Sequence, residues 1–459
     1  MALTKIITDG ITDDAVTEDK LANAINTAVA ANTAKDLTAL SASNLTSGTI
    51  PDARFPATLP AASAANLTAV PAANITGKLP AISAANLTNV PAANITGTLP
   101  AISGANLTNL PASGQARNLI INGAMQVAQY GSSFSNISTS GVYGSVDRMM
   151  MVGANLDQLQ FAAKQTSDGP DGFANCFEFD VTTAESALDA NDLAYIRYKI
   201  EGQDLVPLYN ANGTGKNFVI SFYVKSNQAG TYQLNIYKDQ GPRFISKTYT
   251  ISSANTWERI EIPFTGDTGT SGINNNTSVG FNIAWMLVAG TDYTSAGVQS
   301  NWGGWPGNSG FAGGHAVNVA SSTNNYFRIT GIQLEIGDTA TDFAHETYPE
   351  TLRKCQRYYW KISAGNARRV NGYKRHDGNS FWELQCPVPM RTGPSPTLLT
   401  SGTFTNFTSN FNTTQSGPHV NEWNQDTGWG LLYVSSTWST TSASIPSWEG
   451  YAIEFSAEL

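Results

Sequence analysis

Between Ser41 and Gly114 the chain repeats itself every 20 residues, and no single copy of the repeat can close a core. Leu59 to Lys78 reads LPAASAANLTAVPAANITGK and Leu79 to Thr98 reads LPAISAANLTNVPAANITGT; a third copy begins at Leu99, and Ser41 to Thr58 is a degenerate fourth. Pro71, Pro80, Pro91, Pro100 and Pro111 recur every nine to eleven residues. Each removes a backbone donor, so a continuous helix is forbidden and strands are held to short extended pieces. Large aliphatics return at fixed places: Leu67, Val70, Ile75, Leu79 and Ile82, then Leu87, Val90, Ile95, Leu99 and Ile102, then Leu107 and Leu110. Medium-sized side chains this sparse, with no aromatic among them, find too few partners within one chain. Three chains wound about a common axis bring them together, with Asn and Thr outside and Ala and Gly letting the backbones approach. The expectation is an intertwined trimeric shaft over residues 41–114, spanning at most about 240 Å at ~3.3 Å per residue. A flexible Ala/Pro/Thr linker is the competing reading, but a linker has no need for Leu and Ile at fixed positions.

The shaft divides the chain into four segments: 1–40, 41–114, 115–352 and 353–459. In the first, Thr17 to Lys35 carries Leu21, Ile25 and Val29 at four-residue spacing, which predicts a short amphipathic helix with a narrow stripe. Beyond Arg117 the period becomes two. Asn217–Ser226 alternates Phe218, Ile220, Phe222 and Val224 against Ser221, Tyr223 and Lys225. Thr231–Tyr237, Trp257–Phe264, Phe281–Val288 and Tyr326–Ile336 alternate likewise, separated by Gly, Asn and Ser clusters. The fold class is therefore mainly β: a large jelly-roll β-sandwich over 115–352 and a second antiparallel sandwich over 353–459, joined by a brief helical or irregular link at Tyr348–Trp360. The last strand, Tyr451–Leu459, puts Tyr451, Ile453 and Phe455 on one face and Glu454, Ser456 and Glu458 on the other.

Composition narrows the function. Only 13% of residues are charged and the net charge is -9, from 35 acidic and 26 basic side chains. Nucleic-acid binders carry a basic footprint, so no nucleic-acid partner is expected. No apolar run approaches the ~18 residues of a membrane span, and the first ten residues lack the apolar stretch of a signal peptide. The Asn-x-Thr triplets of the repeat therefore read as turn and strand formers, not glycosylation acceptors. Cys176, Cys355 and Cys386 are too few and too far apart for a disulfide scaffold or a metal site, and read as buried thiols. His315, His345, His376 and His419 show no metal-ligand spacing. No nucleophile elbow or phosphate-binding loop occurs, so neither cofactor, metal nor catalytic residue is assigned. A carboxylate pair meeting in space remains open.

The stronger signal is aromatic. Asn301–Gly314 (NWGGWPGNSGFAGG) places Trp302, Trp305 and Phe311 in an unpatterned Gly-rich loop, and Trp423, Trp429 and Trp438 lie in the terminal domain. Flat indole faces on a loop can stack on sugar rings; the bland alternative is a loop tryptophan plugging its own core. The Arg357-Tyr358-Tyr359 cluster reads as a structural tie between the domains.

The segment NLIINGAMQVAQYG at Asn118–Gly131 resembles the opening motif of bacteriophage tail-fibre head domains. Ile329–Trp360 (ITGIQLEIGDTATDFAHETYPETLRKCQRYYW) resembles the join in the same proteins, as do Pro387–Thr397 and an ending like FSAEL. The repeat and the opening DGITDDAVTEDKLA resemble fibre shafts and their bases. Asp147-Arg148-Met149 departs from the Asp-Arg-Trp frequent in such domains. The resemblance implies a homotrimeric fibre on the virion, held by residues 1–40 to a phage tail or baseplate protein. Its C-terminal head, at the C-terminal tip, would meet a host cell-surface glycan or outer-membrane receptor by multivalent, non-catalytic adhesion. A glycan-depolymerising spike and a purely structural virion fibre are the alternatives.

Overall fold

In a computed structural model of the chain, the described residues are 23–33 and 118–459, apart from 138–140, 270, 364–368, 375–378, 407–408, 412–418, 425 and 436–445. The 20-residue repeat, with its aliphatics from Leu67 to Leu110, lies outside them. So does Leu21. The described part of the N-terminal segment is the helix α1 (Asn23–Thr33), on which Ile25 and Val29 are exposed.

The first sandwich is built from twelve strands: β1 (Ser133–Ile137), β2 (Val142–Tyr143), β3 (Met150–Ala154), β4 (Gln160–Thr166), β5 (Cys176–Thr183), β6 (Leu193–Glu201), β7 (Phe218–Ser226), β8 (Gly230–Lys238), β9 (Arg243–Ile251), β10 (Glu258–Phe264), β11 (Val279–Ala289) and β12 (Tyr326–Ile336). They form two six-stranded antiparallel sheets, ordered β1-β4-β5-β12-β7-β10 and β2-β3-β6-β11-β8-β9. Two one-turn helices, α2 (Gly202–Leu205) and α3 (Thr291–Thr294), sit in the connections. Every second residue of a strand faces the same way. Phe218, Ile220, Phe222 and Val224 of the first sheet therefore meet Ile196, Leu234, Ile283 and Trp285 of the second in one buried core. Phe222 and Trp285 pack edge to face at 5.9 Å. The strands expected at Phe218, Thr231, Trp257, Phe281 and Tyr326 are all present.

The outer face of the first sheet is less open than its alternation predicts, since Val219 and Ser221 are also buried. The segment after β12 folds back over it. Arg259 Nη2 donates to the Thr341 carbonyl at 2.5 Å, Ala344 N donates to Gln333 Oε1 at 2.8 Å, and Phe173 packs on Tyr223, Phe343 and His345.

The opening motif pins the chain to β12. Asn118 Nδ2 donates to the Ile332 carbonyl at 3.0 Å, and its Oδ1 accepts from Leu334 N at 3.1 Å. They clasp a bulge where Gly331 and Ile332 together oppose a single residue of β7. Gly331 has φ +62°, and a Cβ there would lie 2.8 Å from Phe173 and Tyr223; only glycine fits.

α4 (Tyr348–Gln356) opens on a capping box between Thr347 and Glu350 and leads into the second domain. That domain comprises β13 (Tyr359–Ser363), β14 (Arg369–Lys374), β15 (Asn379–Gln385), β16 (Ser395–Asn406), β17 (Ser409–Phe411), β18 (His419–Asn424), β19 (Trp429–Ser435) and β20 (Pro446–Ser456). Its hinge is β14, whose first half pairs with β20 and whose second half pairs with β15. A strand shared in this way is how a sandwich turns its corner.

The two domains meet across a polar seam. Arg357 grips Glu201 with two hydrogen bonds of 2.9 Å, and the Tyr358 hydroxyl donates to the same carboxylate at 2.5 Å. Tyr359 stacks on Tyr130 at 3.6 Å. Arg148, 1% exposed, donates to Glu458 and lies 3.5 Å from the Tyr358 ring. The sequence alternation assigns Glu458 to an outer face. The structure corrects this: β20 ends at Ser456, and the next residues turn onto the first sandwich, where Arg148 compensates the buried carboxylate. Cys176, Cys355 and Cys386 are free and buried.

Candidate functional site

The outer face of the second sheet carries a groove of about 660 Å³. Its floor follows from register. While Ile196, Tyr198 and Ile200 of β6 point into the core, Tyr195, Arg197 and Lys199 point out. Across the sheet these align in rows. Arg197 stands opposite Ala284 of β11, which stands opposite Asn235 of β8; Lys199, Asn282 and Tyr237 form the next row. Asp239, just past β8, lines the same groove.

The wall is the loop after α3. It runs along the edge strand β9: Phe244 and Gly303 exchange two backbone hydrogen bonds, 2.8 and 3.0 Å, and Ser246 N donates to the Gln299 carbonyl at 2.8 Å. This pairing covers backbone groups that an open sheet edge would leave unpaired. Farther along, the Phe311 carbonyl accepts from Asn235 Nδ2 at 2.6 Å and from Gln233 Nε2 at 2.9 Å, and Gln233 Oε1 accepts from Gly314 N at 2.6 Å. The loop is thus fastened at both ends, and its tip is held over the groove.

Within it the three aromatics separate. Trp302 turns inward: its Nε1 donates to the Thr265 carbonyl at 2.7 Å and its ring packs against Phe281 and the main core. It has taken the core-plugging role. Trp305 remains 48% exposed, standing edge-on to Tyr237 and Phe244 at 5.7 Å each. Phe311 joins the two ends of the aromatic wall, 5.4 Å from Trp305 and 5.5 Å from Tyr195. One exposed indole flanked by aromatic edges and faced by Arg, Lys, Asn, Tyr and Asp side chains is an arrangement that can stack a flat apolar face and orient hydroxyls.

Trp423 and Trp429 do not join this group. Trp423 lies beside Gly393, and its buried Nε1 has no hydrogen-bond partner among the described residues. It pairs with Gly430, whereas Trp429 pairs with Asn424. Paired residues share a face and successive residues alternate, so Trp423 and Trp429 lie on opposite faces of their sheet. Trp438 lies outside the described residues. Tyr195, Arg197, Lys199, Asn235, Tyr237, Asp239 and Asn282 are site residues that sequence reasoning missed. The available signal was the outward set of the alternating strands, which here is aromatic and amide-rich where Ser or Thr would serve a plain solvent face.

Charge in the groove is uneven. Lys199 Nζ donates to a main-chain oxygen of Leu459 at 2.5 Å. Burial, then the positive charges of Arg197 and Arg148, push the Lys199 ammonium below its ordinary value.

No protein family and no curated protein matches the chain. Solved structures do overlap it. The enzymatically active domain of tailspike protein 4 from bacteriophage CBA120 covers 48% of this chain at 13% identity with a TM-score of 0.27; the match takes in 22% of that chain's length. A family 11 carbohydrate-binding module from Clostridium thermocellum, solved with a β-1,3-1,4-mixed-linked tetrasaccharide, covers 46% of this chain and 98% of its own at 15% identity and a TM-score of 0.24. The module TmCBM61, solved with β-1,4-galactotriose, covers 48% and 100% at 12% identity and a TM-score of 0.23. At this depth the likenesses bear on neither ligand nor activity.

Proposed function

We propose that the chain is a phage tail fibre whose first head sandwich binds a host surface glycan, without cleaving it, in the groove over β6, β11 and β8. The observation that carries the binding reading is Trp305: a large apolar ring, 48% exposed, held by a doubly fastened loop above a polar floor. A singly exposed ring is common on protein surfaces; what supports a ligand here is that this one stands over a groove whose floor carries Arg197, Asn235, Asn282 and Asp239. Asp239 is the one carboxylate among the described lining residues. Glycosidic cleavage ordinarily uses two carboxyl groups flanking the bond, which favours binding over hydrolysis here.

The assignment to a fibre rests on the resemblance of Asn118–Gly131 and Ile329–Trp360 to tail-fibre heads, and on the repeat. In that reading three chains wind about the shaft, residues 1–40 attach to the tail or baseplate, and three grooves act together. Sites that are individually weak then gain avidity from simultaneous engagement. The test is the full-length protein on an array of bacterial surface glycans, beside Trp305→Ala. Binding by the parent and a loss of about tenfold or more in the variant, with an unchanged thermal transition, supports the reading. Equal binding by both proteins removes the groove from it.

A further inference from the structure

We propose that the β6 end of the groove receives an acidic sugar, whose paired anionic oxygens, of a carboxylate or a phosphate, are held by Arg197. This rests on the reading of the groove as a glycan site and deepens it to a ligand class.

The argument begins with where this sandwich puts its cations. On the outer face of the first sheet they are neutralised in a ladder across strands: Lys164 to Asp180 at 2.5 Å, Lys225 to Asp168 at 2.8 Å, and Arg328 to both Glu178 and Asp168. On the outer face of the second sheet, Arg197 makes no ion pair among the described residues. Its Nη2 donates to the Tyr195 hydroxyl and its Cζ lies 5.2 Å from the same ring. Those contacts set the guanidinium in place without neutralising it. Its remaining donors have no hydrogen-bond partner among the described residues, and the fork matches two oxygens of one anion.

Space lies beside it. The residue across from Arg197 is Ala284, the smallest side chain of the floor, and beyond it the Asn235 amide is turned to the Phe311 carbonyl. Lys199, two residues on and on the same face, is already engaged, its ammonium donating to a main-chain oxygen of Leu459, so Arg197 is the cation left for a ligand. Asp239 on the β8 side opposes an anion there, which gives the groove a direction. The acidic residue sits toward β6, and a neighbouring sugar, reached through the Tyr195–Phe311–Trp305 ring contacts, lies under the indole.

The experiment uses the full-length protein on an array carrying neutral, carboxylate-bearing and phosphate-bearing glycans, followed by titration calorimetry with the tightest ligand. Polygalacturonate and its carboxyl-reduced form serve as one matched pair, and a phosphorylated oligosaccharide before and after dephosphorylation as another. Preference for the charged member of either pair is the expected result, and the pair that shows it identifies the source of the anion. Arg197→Gln should weaken binding of the charged ligand about tenfold and of its neutral form less than twofold. Asp239→Asn should tighten the charged ligand about threefold, a gain that misfolding cannot imitate. Preference for neutral glycans, or an Arg197→Gln variant that keeps full affinity for a charged ligand, overturns the inference and leaves the glycan groove standing. Binding to no glycan, or acidic binding indifferent to Trp305→Ala, overturns the groove reading and this inference with it.

Discussion

Replacing Asp267 by Ala isolates the group that fastens the groove loop from below. Its partner Lys238 is 0% exposed and Asp267 is 1% exposed, with Nζ to Oδ2 at 2.8 Å. Lys238 otherwise has the Ser271 carbonyl and the Tyr209 ring at 5.3 Å. The other oxygen of Asp267 accepts from Gly269 N and from Arg243 Nε, both at 2.9 Å, and Arg243 Nη2 reaches the Trp302 carbonyl at 3.1 Å. Without the carboxylate a buried ammonium loses its counter-charge, which costs about 3–5 kcal/mol. At roughly 2–4 °C per kcal/mol, the transition of the first sandwich should fall by about 6–20 °C. Replacing both members, as Lys238→Met with Asp267→Leu, removes the stranded charge and should restore most of the loss. Differential scanning calorimetry of parent, single and double variants measures all three. The acid limb adds a check. Burial alone would raise the Asp267 carboxyl, but Lys238, Gly269 N and Arg243 outweigh it and hold it below its ordinary value. The stabilisation is therefore present above the unfolded carboxylate value of about 3.9 and lost as pH falls through the lower folded value. An Asp267→Ala transition within 2 °C of the parent, or a double variant worse than the single one, would refute the reasoning.

Burial pushes His315 down to about 4. The unfolded chain takes up a proton near 6.5 and the folded chain resists it, so stability should fall by about 2 kcal/mol between pH 7 and pH 5, and His315→Phe should flatten that slope in urea titrations. Glu458→Ala leaves the buried Arg148 uncompensated and should cost about 3 kcal/mol, read as a lower thermal midpoint; a change below about 0.5 kcal/mol contradicts the role given to the seam. Trimerisation through the repeat predicts a sedimentation mass near three times 48.9 kDa, and a monodisperse monomer at micromolar concentration removes the shaft from the proposal.

The strands were legible because alternation is local: Phe218, Ile220, Phe222 and Val224 declare a buried face within one heptapeptide. The groove was not, because Arg197, Ala284 and Asn235 become neighbours only through register between strands far apart in sequence. Trp302 and Trp305 share a Gly-rich context and differ in what lies under them, a Thr265 carbonyl in one case and the edges of Tyr237 and Phe244 in the other. Glu458 looked like the next outward residue of an alternating strand because the end of β20, two residues earlier, depends on Arg391 donating to the Ala457 and Glu458 carbonyls at 2.7 and 2.8 Å. No local pattern carries that contact.

The seam also defines what can be exchanged between chains of this architecture. A recombination point placed in α4 trades one C-terminal sandwich for another at a short helix that lies between the two. The transplanted sandwich brings Arg357, Tyr358 and Glu458, and these need Glu201 and Arg148 from the recipient. A recipient lacking Glu201 would be left with an unanswered Arg357, and one lacking Arg148 with a buried carboxylate. Chimeras should therefore assemble only when the breakpoint lies upstream of Tyr130, or when both halves of the seam travel as a matched set, so that the unit of inheritance is larger than the unit of folding.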